Sequence, residues 1–256
     1  MPPTDACAAT SPARAHQGCA GPGTDTAAPR STRFRRFTVE DDDPDSEDTL
    51  DLRLPADFIA FCAATTVGLL DRPSAWGPVA TSAGTFRLMP VHIEHDLPLV
   101  HRWMNDPAVA PFWELDGPPR RTEDHLRTQL AGAGHSVPCL GVLDGTPMSY
   151  WEIYRADLDP LARHYPARPH DTGIHLLVGG AADRGRGLGS VLLRSVADLI
   201  LDRRPVCARV VAEPDLCNTP SVAAFLSAGF RYAAEVDLPA KRAALMIRDR
   251  VLRHVL

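Results

Sequence analysis

The sequence predicts a mixed α/β domain, and three observations carry that reading. From residue 85 onward, short runs of strand-like alternation are interleaved with runs of helical periodicity. An Asp-Gly pair, Asp144-Gly145, separates two apolar runs, which is a strong hairpin signal. A glycine-rich segment then stands between a strand-like run and a helix-like run. The 256 residues are 45% hydrophobic and 23% charged, enough to bury a substantial core in one domain with an appendage.

Residues 1–48 are rich in Pro, Ala, Thr, Gly and Ser and end in an acidic run, so they read as a disordered leader. Residues 49–80 read as an adaptor carrying one short helix, Asp57 to Ala64, and residues 81–256 as the main domain. Phe86 to His92 alternates as a strand. Asp96 can cap a helix with Pro98 in its first turn, burying Leu99, Val100, Trp103 and Met104 before Asp106-Pro107 ends it. Thr122 opens a second helix that closes near Gly132. Cys139 to Leu143 and Met148 to Tyr154 are the arms of the Asp144-Gly145 hairpin. Gly173 to Val178 is a further strand. Leu188 to Leu201 is a helix with Leu188, Leu192, Val196 and Leu199 on one face. Cys207 to Pro214 contains the next strand, Asn218 to Ala228 another helix, and the two runs after it close the domain as a hairpin. No internal repeat is visible.

The net charge of −5, with 27 basic and 32 acidic residues, argues against nucleic acid as the main partner. All the basic residues but Lys241 are arginine, which reads as coding bias. The longest apolar run, Phe58 to Leu70, is broken by Thr65, Thr66 and Gly68 and is too short to span a membrane. No basic, then apolar, leader opens the sequence. Cys7, Cys19, Cys62, Cys139, Cys207 and Cys217 form no CxxC pair, which excludes a zinc cluster or disulfide framework. These features predict a cytoplasmic protein with reduced thiols.

The chemistry concentrates in the segment from His175 to Ser190. A glycine-rich turn between strand and helix lets backbone N–H groups converge on an anion, backed by the positive end of the helix dipole. Two anion binders compete. Gly185, Gly187 and Ser190 approximate a dinucleotide fingerprint, with Glu213 where a ribose-binding acid would stand, but too little chain follows for a doubly wound sheet. A Walker loop fails because no Gly-Lys-Ser/Thr occurs. The second binder fits better: Arg184-x-x-Gly187-x-Gly189, followed by a helix, a strand, an Asn-bearing helix and Ala228-Gly229-Phe230, resembles the acyl-CoA pyrophosphate loop of the GNAT N-acetyltransferase superfamily.

Within that superfamily, residues 86–248 resemble the siderophore-biosynthetic branch, which includes the mycobactin lysine N-acyltransferase and the aerobactin N6-hydroxylysine acetyltransferase. The matching runs are RWMNDPAVAPFWELDGP, SYWEIYRA, HYPARPHDTGIHLLV, RVVAEPDLCNTPSV and EVDLPAKRAALM. The resemblance implies a mixed central sheet, splayed at the acyl-CoA site, with flanking helices. It implies an acyl group carried by CoA or an acyl carrier protein and passed to a lysine-like amine or N-hydroxylamine, without a metal. A siderophore synthetase is a further possible partner.

A protonated amine near pKa 10.4 cannot attack a thioester, so a base is needed. The resemblance puts the catalytic pair on His175 and Glu213; the residues by themselves favour function over a core role for His175, by its place in Asp171-x-Gly173-Ile-His175, and leave Glu213 equally a strand-end carboxylate. The donor would be held by Leu177, Val178, Arg184, Gly185, Arg186, Gly187, Leu188, Gly189, Ser190 and Asn218. The N–H groups of Leu177 and Val178 would polarise the thioester carbonyl. The acceptor is assigned to Trp113, Glu114, Trp151, Glu152, Tyr154, His164 and Asp171, carboxylates for its α-amine and aromatic walls for its stem; each aromatic reads equally as core. The last helix contains no Tyr to protonate the leaving thiolate, leaving Ser221, water or His175. Competing readings are an aminoglycoside 6'-N-acetyltransferase and a non-catalytic module that binds CoA or a carrier protein.

Overall fold

The computed structural model of the chain describes residue 70 and residues 73–132 and 134–255. The expected leader and the Asp57–Ala64 helix lie outside the described residues. Eight strands form one sheet, ordered β1-β2-β3-β4-β5-β6-β8-β7. In chain order, β1 is Val79–Thr81, β2 Gly84–Pro90, β3 Ser136–Leu143, β4 Thr146–Arg155, β5 Thr172–Val178, β6 Arg209–Ala212, β7 Arg231–Asp237 and β8 Arg242–Asp249. The helices are α1 (Ile93–Met104), α2 (Ala110–Trp113), α3 (Pro119–Ala131), α4 (Leu188–Arg203) and α5 (Thr219–Ser227). No helix among the described residues is long and apolar enough to cross a membrane.

Two helix starts and one boundary differ from expectation, each for a local reason. Helix α1 begins at Ile93, because Asp96 accepts the His92 N–H at 2.8 Å from inside the first turn. Pro119 occupies the first position of α3, where its fixed φ suits a helix start, so the helix precedes Thr122. The expected boundary at residue 81 falls inside β1, which pairs with β2, and Trp76 is buried in the main core. Residues 73–80 therefore belong to the sheet domain.

The hairpin between β3 and β4 turns on Asp144 and Gly145, both at positive φ, as a two-residue turn of matching twist requires. Alternation along β4 then sorts its side chains. Trp151 and Ile153 enter the core shared with α4, while Tyr150 joins the cluster with Val100, Trp103 and Leu126 on the other face. Glu152 and Tyr154 share the face of Tyr150.

All neighbouring strands are antiparallel except β5 and β6, which pair only at Thr172 with Val210 and Gly173 with Val211. Beyond Gly173 the two strands part, leaving His175 to Val178 with an open edge. That seam positions the candidate site.

Candidate active site

Three side chains meet at the start of the seam. Glu152 lies across from His175 in the β4–β5 register, and Glu213 follows the end of β6. His175 Nδ1 lies 2.8 Å from Glu152 Oε2, and its Nε2 contacts Glu213 Oε1. The carboxylates are 7% exposed and the imidazole 32%, so the ring is the member that faces the cleft. Burial by itself would lower the His175 pKa. The charge of Glu213 and hydrogen bonds to both carboxylates outweigh it and raise the ring to about 10, leaving an imidazolium at neutral pH. Burial likewise pushes both carboxyls up, but their cationic neighbours win. Glu152 is held well below the ordinary range and Glu213 is lowered to about 2.

Each carboxylate is fixed from behind. Glu152 Oε1 accepts Tyr150 OH at 3.0 Å and Gln129 Nε2, and lies 2.6 Å from His125 Nε2. Ser136 Oγ donates to Gln129 Oε1, which turns the amide nitrogen toward Glu152. Glu213 Oε2 accepts Tyr154 OH at 2.7 Å, and Lys241 Nζ stands 3.8 Å from Oε1. Gly173 makes this possible: a Cβ there would stand 2.0 Å from the Tyr154 ring.

Two cavities share this centre. One of about 230 Å³ is lined by His125, Glu152, His175, Glu213, Asp215 and Lys241. The other, about 770 Å³, runs along Val178 to the loop residues Arg184, Gly185, Gly187 and Ser190. Phe112, Trp113, Leu176, Asn218, Ser221 and Phe225 line both, so the two are one continuous cleft.

The loop suits an anion. Gly185 and Gly187 have φ of 70° and 77°, a region that favours glycine, and open space lies where a Cβ would stand. The first helical hydrogen bond runs from Val191 N to Gly187 O, so the amides of Leu188, Gly189 and Ser190 precede it at the positive end of α4. Asn218 caps α5 by accepting the Ser221 N–H at 3.2 Å, and its side chain lines the cleft.

Several expected ligands have other duties. The Arg184 guanidinium donates to Val178 O, Gly179 O and both oxygens of Asp106, at 2.7–3.0 Å, so it clamps the loop to the end of β5. Arg186 is exposed and is the loop's remaining cation. Gly179 N–H donates to Met148 in β4; antiparallel alternation therefore turns the Leu177 amide toward β4 and the Val178 amide toward the seam. Of the two amides expected there, Val178 is the one that can serve a carbonyl.

Among the expected acceptor contacts, Trp113 lines both cavities and stands edge-on to His175, with ring centroids 6.1 Å apart. Glu152 is at the centre, but its occupied oxygens make it a partner of His175 instead of an acceptor ligand. Tyr154 positions Glu213. Trp151 is fully buried on the opposite face, with its indole N–H on Ser149 Oγ. Asp171 is completely buried against Arg209, Tyr165 OH and the Arg168 N–H. Glu114 ends α2 at positive φ, exposed, and His164 caps a 3-10 turn at the surface; neither lines the cleft.

Sequence reasoning missed His125, Gln129 and Tyr150, which hold Glu152, and Lys241. His125 and Gln129 are four residues apart and so share a helix face. For Lys241 the signal was its being the single lysine.

A cleft with an anion-binding loop at one end, a parted strand edge along it and a carboxylate–imidazole–carboxylate cluster at the other is built for group transfer between two bound molecules. The chain belongs to the GNAT acetyltransferase domain family, which it matches over residues 92–238. Lysine N-acyltransferase MbtK of Mycolicibacterium paratuberculosis is 36% identical over 154 residues, covering 60% of this chain and 69% of that protein. N(6)-hydroxylysine O-acetyltransferase of Escherichia coli is 39% identical over 149 residues, 58% of this chain and 47% of that protein, so the matched part spans about half of that relative. An uncharacterised protein from Bacillus halodurans superposes with a TM-score of 0.65 at 32% identity, over 70% of this chain and 92% of that one. Aminoglycoside acetyltransferase AAC(6')-Ib in complex with coenzyme A gives 0.56 at 25% identity, over 66% of this chain and 96% of that one.

Proposed function

We propose that the protein moves an acyl group from an acyl-CoA thioester to the side-chain amine or N-hydroxylamine of lysine, or of a lysine-like amine, in the assembly of a hydroxamate siderophore. The observation that carries this reading is the Glu152–His175–Glu213 chain in a small polar cavity that opens into a larger one ending at the glycine-rich loop. A donor pyrophosphate fits the loop amides and Arg186, and its pantetheine arm fits the open edge of β5 beside Asn218. The Val178 N–H then serves the thioester carbonyl.

The acceptor amine enters beside Glu213. The cavity wall carries the carboxylates of Glu152, Glu213 and Asp215 against the His175 imidazolium and Lys241, a balance that admits a cation. The proton leaves by way of Glu213 and His175, whose ring reaches the cleft surface. A further positive charge arriving at Glu213, beside His175 and Lys241, opposes the imidazolium, so acceptor binding itself drives the ring toward the neutral state that can accept a proton. The nitrogen attacks the thioester carbon, the C–S bond breaks, and the proton that the nitrogen sheds after attack reaches the thiolate through Ser221, the hydroxyl common to both cavities. MbtK is by its name a lysine N-acyltransferase and the Escherichia coli relative an N(6)-hydroxylysine O-acetyltransferase, and this supports a lysine or hydroxylysine acceptor. An acyl carrier protein as donor needs no other residues in the cleft.

The test is purified protein with acetyl-CoA and longer acyl-CoAs against lysine, N6-hydroxylysine and kanamycin, following released thiol and product mass. Acylated lysine or hydroxylysine without acylated kanamycin is expected. Acylation of kanamycin alone, or thiol release with no acylated product, would overturn the reading.

A further inference from the structure

The chain meets every need for a basic side chain with arginine except at one position, Lys241. A guanidinium stays charged under all ordinary conditions, whereas an ammonium can give up a proton and become a nucleophile. The single residue with that capacity stands in the catalytic cleft. The tight connection between β7 and β8, closed by Leu238 N–H to Lys241 O at 2.9 Å, carries it to the mouth of the small cavity. Its side chain is 27% exposed, and Nζ lies 3.8 Å from Glu213 Oε1, the oxygen that His175 also contacts. At that separation the ammonium is ion-paired with the carboxylate without a formed hydrogen bond.

On the acyl-transfer reading above, on which this inference rests, Glu213 receives the acceptor's amine. Lys241 offers it the same chemical group, a primary amine on a four-carbon stem. A lysine acceptor's own carboxylate lies at the far end of that stem, so a residue touching Glu213 stands where the acceptor's amine goes, not where its carboxylate is read. The cleft is continuous from Lys241 past Asn218 and Ser221 to the donor cavity.

We propose that Lys241 is a self-acylation site: with donor bound and no acceptor present, its Nζ takes the acceptor's place. One ammonium proton passes to the Glu213–His175 pair and on to solvent. The Nζ–C bond forms as the thioester C–S bond breaks, and the second proton shed by Nζ passes to the thiolate, which leaves as free thiol. The resulting amide is neutral and fills the acceptor cavity, so acylation shuts off turnover when donor accumulates without acceptor.

The test uses the full chain incubated with acetyl-CoA alone, followed by intact mass and peptide mapping. One acetyl group per chain on Lys241 is expected. It should vanish in Lys241→Arg, form at least about a hundredfold more slowly in Glu213→Gln, and be suppressed by saturating lysine or N6-hydroxylysine. Pre-acetylated protein should lose acceptor turnover in proportion to its modified fraction. Acceptor turnover with Lys241 unmodified would overturn the self-acylation alone; neither adduct nor turnover would overturn the transfer reading as well. Acetylation of Lys241 at the same rate in Glu213→Gln or in urea-unfolded protein would mark it as ordinary chemical modification and also overturn the proposal.

Discussion

Glu152→Gln isolates the charge that Glu152 exerts on His175. The substitution keeps the side chain's length, and an amide oxygen can still accept the Nδ1–H at 2.8 Å, so the ring loses a negative charge in contact with it while Tyr150 and Gln129 lose the acceptor Oε1. In the intact site the ring sits at about 10 against an ordinary 6.5, held there by two carboxylates against the pull of burial. One opposite charge at such range is worth about one to three pH units, so in the variant the ring should titrate between roughly 7 and 9. If transfer in the free enzyme requires the neutral ring, kcat/KM rises with pH until about 10 in the parent protein. The rise should end one to three pH units lower in Glu152→Gln, with a reduced plateau because the ring is less firmly oriented. N6-hydroxylysine is the acceptor of choice, since its nitrogen is less basic than a lysine amine and does not mask the ring. Nitrogen-15 spectra of the imidazole give the titration directly. A ring that titrates at the same pH in both proteins, or near 6.5 in the parent, would refute the reasoning.

The same groups shape stability. His175 is raised on folding, so its contribution is complete below pH 6.5 and lost as pH climbs through about 10; Glu213 is lowered, so its contribution is complete above about pH 4.5 and lost as pH falls toward 2. Thermal melts should show both declines, with the alkaline one flattened in Glu152→Gln. Tyr154→Phe removes one buried hydrogen bond to a charged oxygen, about 1.5–3 kcal/mol, and should lower the melting temperature by roughly 3–12 °C together with kcat/KM. Asp171→Asn strands a buried guanidinium at Arg209 and should cost about 3–5 kcal/mol in denaturant titrations; unchanged stability with a raised acceptor KM would return Asp171 to the site. Arg186→Ala should raise the donor KM while leaving the melting temperature in place, whereas Arg184→Ala, which breaks the clamp onto Val178, Gly179 and Asp106, should lower that temperature.

Local chemistry was enough to read the strand–loop–helix order, the Asp144-Gly145 turn and the anion loop, because each depends on residues adjacent in the chain. The motifs around His175 and Glu213 singled both out, and the fold brings the two side chains into contact. Some of what was missed was also legible. The two-residue period of a strand already puts Trp151 and Glu152 on opposite faces, so both could not line one cleft.

Tertiary structure alone decided the partners. That Glu152, and not Glu213 by itself, holds the imidazole depends on strand register. That His125 and Gln129 fill its other oxygen depends on how α3 packs on β4. That Arg184 clamps and Asp171 is buried follows from Asp106 and Arg209, which are 78 and 38 positions away in the chain. A charged side chain's role is set by whichever opposite charge the fold brings within a few ångströms, and sequence separation carries no trace of that distance.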